Sequence, residues 1–84
     1  MKSINIERLR SVYNPTRLAR LLARPDVSEE WLEKIVENVY SGKAFYLEDV
    51  LFEDTVQTKL KVAISCTLAG GTCEFRETKE EQRV

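Results

Sequence analysis

The sequence predicts an α+β fold in which three N-terminal helices pack on a small two- or three-stranded antiparallel sheet. In the first half of the chain, apolar residues recur at helical spacing, and Gly42 follows the last of these runs. Beyond it, apolar and polar residues alternate over a long segment, which is typical of a half-buried strand. The length of 84 residues fits a single domain spanning 1–84, with a loose tail predicted from about residue 79.

The first two predicted helices are separated by an Asn-Pro pair. We expect the first helix over 5–13, with Asn5 or Ser3 as its cap. Asn14 is a good N-cap for the second helix, and Pro15 fits its first position, where the missing N–H would have had no partner. This helix is expected to continue to about Arg24, because the residue before a proline disfavours helical geometry. The expected buried positions are Ile6, Leu9, Val12 and Tyr13 in the first helix, and Leu18, Leu21 and Leu22 in the second.

The third helix has the clearest pattern. Ser28 or Asp26 can cap its start, and Glu29 and Glu30 lie in the first turn, where the helix dipole favours negative charge. Gly42 is suited to end it in a left-handed conformation. One broad face carries the apolar residues Trp31, Leu32, Ile35, Val36, Val39 and Tyr40.

The second half of the chain predicts strands. The segment 56–68 alternates and is expected to pair with 72–78 in a hairpin that turns at Gly70–Gly71. The segment 44–54 is interpreted as a strand, bulged or broken at Glu48–Asp49, and a helix is the alternative left open there. The alternating positions are Val56, Thr58, Leu60, Val62, Ile64, Cys66 and Leu68.

The charge is strongly segregated along the chain, although the formal net charge is only −1. Residues 1–24 contain six cationic side chains and one carboxylate, whereas residues 25–54 contain nine carboxylates and two lysines. This separation of charge affects which partners the protein can bind more than it affects how the chain folds. It allows the basic segment of one copy to meet the acidic segment of another, so a homodimer is one expected outcome.

The composition also bears on location. No apolar run approaches the roughly 18 residues that a membrane span requires, and the N-terminal stretch is charged where a secretory signal would be apolar. We therefore expect a cytoplasmic protein without membrane insertion. Its two cysteines are then expected to be reduced thiols.

Two charged faces are the candidate partner-binding sites. Arg17, Arg20 and Arg24 fall within an arc of roughly 60° on a helix and would form a cationic stripe able to grip carboxylates of a protein partner. The alternative explanation is a solvated face, or internal pairing with the acidic third helix. On that helix, the carboxylates expected to face a basic partner are those of Glu30, Glu33 and Glu37, although they too would serve as a solvated face.

The favoured function is therefore a small non-enzymatic binding protein, a regulator, adaptor or inhibitor, that docks on a macromolecule, most simply a protein. The alternative is a nucleic-acid-binding regulator, since helix, short turn, helix and hairpin resemble a winged helix-turn-helix architecture. The third helix is acidic, so DNA contact would fall to the second helix or the hairpin. The residues of this alternative are Arg8, Arg10, Arg17, Arg20, Arg24, Lys59 and Lys61.

Catalytic and metal chemistry find little support in the sequence. A zinc site needs four ligands, whereas this chain has two cysteines and no histidine. No cofactor motif or candidate acid–base pair stands out, so neither an enzyme, a cofactor nor a metal is expected. With the favoured turn at Gly70–Gly71, Cys66 would face Phe75 and the thiols would be small core residues. A turn at Ala69–Gly70 would instead place Cys66 opposite Cys73, so whether the two cysteines are paired is left open.

Overall fold

The protein is an α+β domain whose N-terminal helices pack on a small antiparallel sheet, as predicted. The computed structural model describes residues 6–77, so the tail predicted from about residue 79 lies outside the described residues. In chain order the elements are α1 (Ile6–Arg10), α2 (Pro15–Leu22), α3 (Glu29–Tyr40), β1 (Ala44–Leu47), β2 (Val50–Phe52), α4 (Val56–Leu68) and β3 (Cys73–Arg76).

The predicted caps begin α2 and α3. The side chain of Asn14 accepts a hydrogen bond from the backbone N–H of Arg17 at 2.8 Å, and Pro15 is the first helical residue. The Ser28 hydroxyl likewise accepts from the backbone N–H of Trp31 at 3.1 Å. Each bond satisfies a donor that has no partner within its own helix. Helix α2 ends at Leu22 rather than near residue 24, which shortens the surface predicted on it.

Helix α3 ends as the sequence predicted. Gly42 has φ +86°, and its N–H donates to the Val39 carbonyl at 3.3 Å. The N–H of Lys43 donates to the Asn38 carbonyl at 3.4 Å. These two bonds form a Schellman motif, which satisfies carbonyls at the helix end that would otherwise have no hydrogen-bond donor.

The segment 44–54 forms a β-hairpin, which resolves the ambiguity in favour of strands. Leu47 pairs with Val50, and the chain reverses through Glu48 and Asp49, whose φ angles are 52° and 68°. Two positive φ angles in a two-residue loop define a type I′ turn, whose twist matches that of the flanking strands. The expected break at these two residues is confirmed.

This turn uses residues that favour other conformations, since Asn-Gly is the common type I′ pair. A left-handed conformation costs an L-residue about 1–2 kcal/mol, whereas glycine adopts it freely but loses more entropy on folding. Glu48→Gly should therefore raise the free energy of unfolding by about 0.5–1 kcal/mol in urea titration. Glu53→Gly, at a position without positive φ, is the matched control and should give no increase. Equal effects of the two substitutions would contradict the turn assignment.

The strand predicted over 56–68 is wrong, because this segment is helix α4. Thr55 caps it, accepting from the Thr58 N–H at 3.2 Å. At the other end the Gly70 N–H donates to Thr67 at 3.1 Å, and the Gly71 N–H donates to Cys66 at 2.8 Å. The predicted hairpin turn at Gly70–Gly71 is thus a second Schellman motif, with Gly70 at φ +79°.

Packing explains why the helix forms instead of the strand. Leu60, Ala63 and Ile64 are buried, at the i, i+3, i+4 spacing of a single helix face. The apolar residues of 56–68 fit both periods, since Leu60 and Ile64 belong to the alternating series as well. Burial against α3 favours the helical arrangement, since tertiary contacts override weak local preferences.

The sheet has the strand order β2-β1-β3, with β1 antiparallel to both neighbours. The predicted partner of the 72–78 strand was therefore also wrong, because β3 pairs with β1. Phe45 on the central strand is fully buried. Its ring stacks on Phe75 at 5.0 Å and meets the edge of Phe52 at 5.7 Å between centroids. The helices cover this face of the sheet and complete the core.

Candidate functional site

Two of the predicted arginines form an exposed cationic surface on α2. Arg17 and Arg20 lie one turn apart, and both are exposed beside the buried face that carries Leu18 and Leu21. Within residues 6–77, no carboxylate lies within 4 Å of either guanidinium. The two charges therefore face solvent, and they are called the α2 arginine pair below.

Arg24 does not continue this surface in the way that the helical spacing predicted. It lies beyond the C-cap of α2 at Ala23. Its Nε and Nη2 atoms donate to the two carboxylate oxygens of Asp26 at 3.1 and 3.0 Å. Because this bidentate pair uses the planar fork that a partner carboxylate would need, the structure leaves two arginines rather than three for contact through α2. Both side chains of the Arg24–Asp26 pair remain about half exposed.

The three predicted carboxylates of α3 do come together. Glu30, Glu33 and Glu37 border one shallow depression of about 480 Å³, together with Lys34 and Asn38. Glu30 and Glu37 are exposed and Glu33 is half-buried. Since the described lining is polar and comes from a single helix, the depression suits a cationic side chain better than an apolar ligand.

Arg8, a candidate of the nucleic-acid alternative, packs against α3. Its guanidinium carbon lies 4.6 Å from the centroid of the Tyr40 ring. The Tyr40 hydroxyl in turn donates to the Arg8 carbonyl at 3.4 Å. A cation over an aromatic face is stabilised by the ring quadrupole, and here it also lies beside the negative end of a helix dipole. Arg10, two residues later in α1, is exposed.

Lys59 and Lys61 lie on α4 and not on a hairpin, which corrects their predicted position. Two residues apart on a helix, they point about 200° apart. Lys59 lines a cleft of about 220 Å³ beside the β1–β2 hairpin. Lys61 lines another, of about 230 Å³, next to Ser11 and Val12. Their geometry therefore does not place both on one surface.

The two cysteines are free thiols and neighbours in space, which the sequence left open. A hydrogen bond with the Cys73 thiol, followed by burial and the negative charges of Cys73 and Glu48, raises the pKa of Cys66 to about 11. The Thr67 hydroxyl oxygen lies 3.5 Å from the Cys73 sulfur. Across the described part of the chain, no group of three or more potential ligands is arranged to hold a metal ion.

Sequence reasoning missed a cluster around Arg76 on β3. The guanidinium lies 4.2 Å from the centroid of the fully buried Tyr46 ring and bonds to Asp49 at 3.3 Å and Glu74 at 3.2 Å. The hydrogen bond with Glu74 is the main cause of a raised Arg76 pKa. Only the β1–β3 register places these groups together, so the cluster had no signal in the sequence. Its bonds are internal, which is typical of a structural role.

Comparisons with known proteins returned no relative. No protein-family model matches the sequence. No curated protein and no solved structure matches it either. Between residues 6 and 77, none of the helices has the length and apolar character needed to cross a membrane.

Proposed function

We propose that this chain is a small non-enzymatic binding protein of the cytoplasm, acting as a regulator, adaptor or inhibitor by docking on a protein partner. The observation that carries the proposal is the α2 arginine pair. Arg17 and Arg20 are exposed, one turn apart, and free of ion pairs with the other described residues. Because no described carboxylate compensates these two charges, the pair suits a partner that supplies the carboxylates.

The surroundings of the pair support a protein surface as the partner. Ala19 and Ala23, also exposed, lie beside Arg20 on α2. Small side chains let another backbone approach closely while the longer arginines reach over it to carboxylates. Exposed ion pairs contribute only about 0.2–1 kcal/mol each, so apolar contact beside them is required for a stable complex. We infer that the partner presents an acidic segment with carboxylates about one helical turn apart.

The acidic depression on α3 is proposed as a second contact. Glu30, Glu33 and Glu37 have the opposite charge to the α2 arginine pair. A basic segment of a partner, or the arginine pair of another copy of this chain, would satisfy these carboxylates. A homodimer is accordingly part of the proposal, and its assembly should weaken as salt is added because exposed charges are screened.

The test compares two double charge reversals. Arg17→Glu/Arg20→Glu removes the α2 arginine pair, and Arg10→Glu/Lys61→Glu makes the same change in net charge at exposed residues elsewhere. Each protein is used for quantitative capture from native lysate and for sedimentation at several concentrations. We expect the wild type and the control to retain the same partner, or to self-associate equally. The α2 variant should bind that partner, or a second copy, at least tenfold more weakly.

The same three proteins address the nucleic-acid alternative. Fluorescence anisotropy on a random DNA duplex, over a salt series, measures the phosphate contribution directly. We expect weak binding that is equal for all three. Tight, steeply salt-dependent binding by the wild type that either charge reversal weakens would favour nucleic acid over protein, because Arg10 and Lys61 also belong to the residues of that alternative. Identical partner retention by both charge reversals would refute the α2 surface.

A further inference from the structure

The connection between α4 and β3 brings the two cysteines of the chain together. Cys66 lies in the last turn of α4, and Cys73 is the first residue of β3. The hydroxyl of Thr67, the next residue after Cys66, lies 3.5 Å from the Cys73 sulfur. The neighbouring Cys73 thiol is also the main cause of the raised pKa of Cys66. The two thiols are therefore close in space, although six residues separate them in the chain.

The Schellman motif at the end of α4 creates this arrangement. Its bond from the Gly71 N–H to the Cys66 carbonyl, 2.8 Å long, folds the chain back over the last helical turn. A Cβ atom at Gly71 would lie only 2.8 Å from the Cys66 sulfur. In such motifs the second residue after the cap commonly packs its side chain on the position of Cys66. Gly71 has no side chain, and the Cys66 sulfur lies close to where the Cβ atom of another residue would be.

We propose that Cys66 and Cys73 form a reversible thiol–disulfide exchange site, whose oxidant is a small disulfide such as glutathione disulfide. The thiolate of one cysteine attacks a sulfur of the small disulfide, breaking its S–S bond and releasing one glutathione thiolate. The second cysteine then attacks the mixed disulfide and releases the other glutathione. The protein dithiol loses two electrons, glutathione disulfide gains them, and the two thiol protons pass to the released thiolates.

The accessibility and acidity of the two thiols both bear on these steps. Both thiols are half-buried, so a small disulfide can reach them. The pKa of Cys66, raised to about 11 mainly by its hydrogen bond with Cys73, leaves little Cys66 thiolate at neutral pH. Because the thiolate is the nucleophile, either cysteine can make the first attack, and the other then resolves the mixed disulfide.

The disulfide would fasten the end of α4 to the sheet. Cys73 pairs with Leu47 on the central strand β1, so the bond links the helix through β3 to the middle of the fold. Closing a loop restricts the unfolded chain and stabilises the folded state. For a domain of this size we expect the Tm to rise by about 10 °C on oxidation. The inference is independent of the α2 arginine pair.

The experiment uses the full chain, Cys66→Ala and Cys73→Ala. Each protein is equilibrated with excess glutathione disulfide at low protein concentration, quenched with a thiol-alkylating reagent and weighed by mass spectrometry. We expect the wild type to lose two hydrogen atoms and take up no reagent. Each single variant should instead carry one glutathione. Excess reduced glutathione should restore both thiols of the wild type.

Three outcomes would overturn the proposal. They are a wild type that keeps two alkylatable thiols, a wild type that carries two glutathiones, and interchain dimers on a non-reducing gel. The melting curves give a second readout, since a disulfide-bonded chain with the Tm of the reduced chain would refute the link between α4 and the sheet. The single variants control for glutathione addition, which should leave their Tm within a few degrees of the reduced proteins.

Discussion

Phe45→Ala should remove a large share of the protein's free energy of unfolding. Phe45 is fully buried on the central strand and contacts Phe52 and Phe75 on the two neighbouring strands. Truncating a buried phenylalanine costs about 3–5 kcal/mol, through lost transfer energy and the cavity that remains. A chain of this length has a total stability of about 4–12 kcal/mol. Urea titration followed by circular dichroism measures the loss.

A matched substitution on the same sheet separates core packing from strand propensity. Val50 is 67% exposed on the edge strand β2, so Val50→Ala should change the free energy of unfolding by less than about 0.5 kcal/mol. Phe45→Leu keeps most of the apolar volume and should fall between the two. A Phe45→Ala protein as stable as Val50→Ala would mean that Phe45 is not at the centre of the core.

Ser65→Pro should be the most damaging substitution at an exposed position. Ser65 is an exposed residue of helix α4, which spans Val56–Leu68. Proline there removes a backbone hydrogen bond and collides with the carbonyl four residues earlier, at a cost of about 3 kcal/mol or more. We expect loss of helical circular dichroism and of cooperative unfolding, because α4 covers the sheet and packs on α3.

Ser65→Ala distinguishes a helix from a strand at the same position. Alanine is the best helix former, so this variant should gain a few tenths of a kcal/mol in a helix. In the strand that the alternating pattern suggested, alanine is unfavourable and the same change would lower stability. A Ser65→Ala protein less stable than the wild type would therefore contradict helix α4.

Local rules predicted the first half of the chain well. The caps at Asn14 and Ser28 and the left-handed stop at Gly42 lie where expected. Each depends on neighbouring residues alone, since a side-chain oxygen accepts from an N–H three positions later, or a glycine permits positive φ. The buried faces of α2 and α3 follow from the same helical spacing, with Leu18, Leu21, Leu32, Ile35, Val36 and Val39 all buried.

The sequence predicted only part of the candidate binding surface. Arg17 and Arg20 share an exposed helix face, as the spacing predicted, whereas Arg24 leaves the helix and pairs with Asp26. Because α2 ends two residues earlier than predicted, Arg24 is not part of the arginine stripe. Helix ends depend on the cap that forms there, and spacing alone does not fix them to that precision.

The amino-acid order specified most of the local structure up to Gly42, together with the separation of basic and acidic segments on which the proposed binding role depends. Tertiary packing decided whether 56–68 became a helix, and through that choice it set the strand order, the partner of β3 and the meeting of Cys66 with Cys73. The physical reason is that the apolar residues of this segment fit both the period of 2 of a strand and the period of 3.6 of a helix. The local preference of the segment for either structure is therefore weak. The area that Leu60, Ala63 and Ile64 bury as one helix face then determines the outcome.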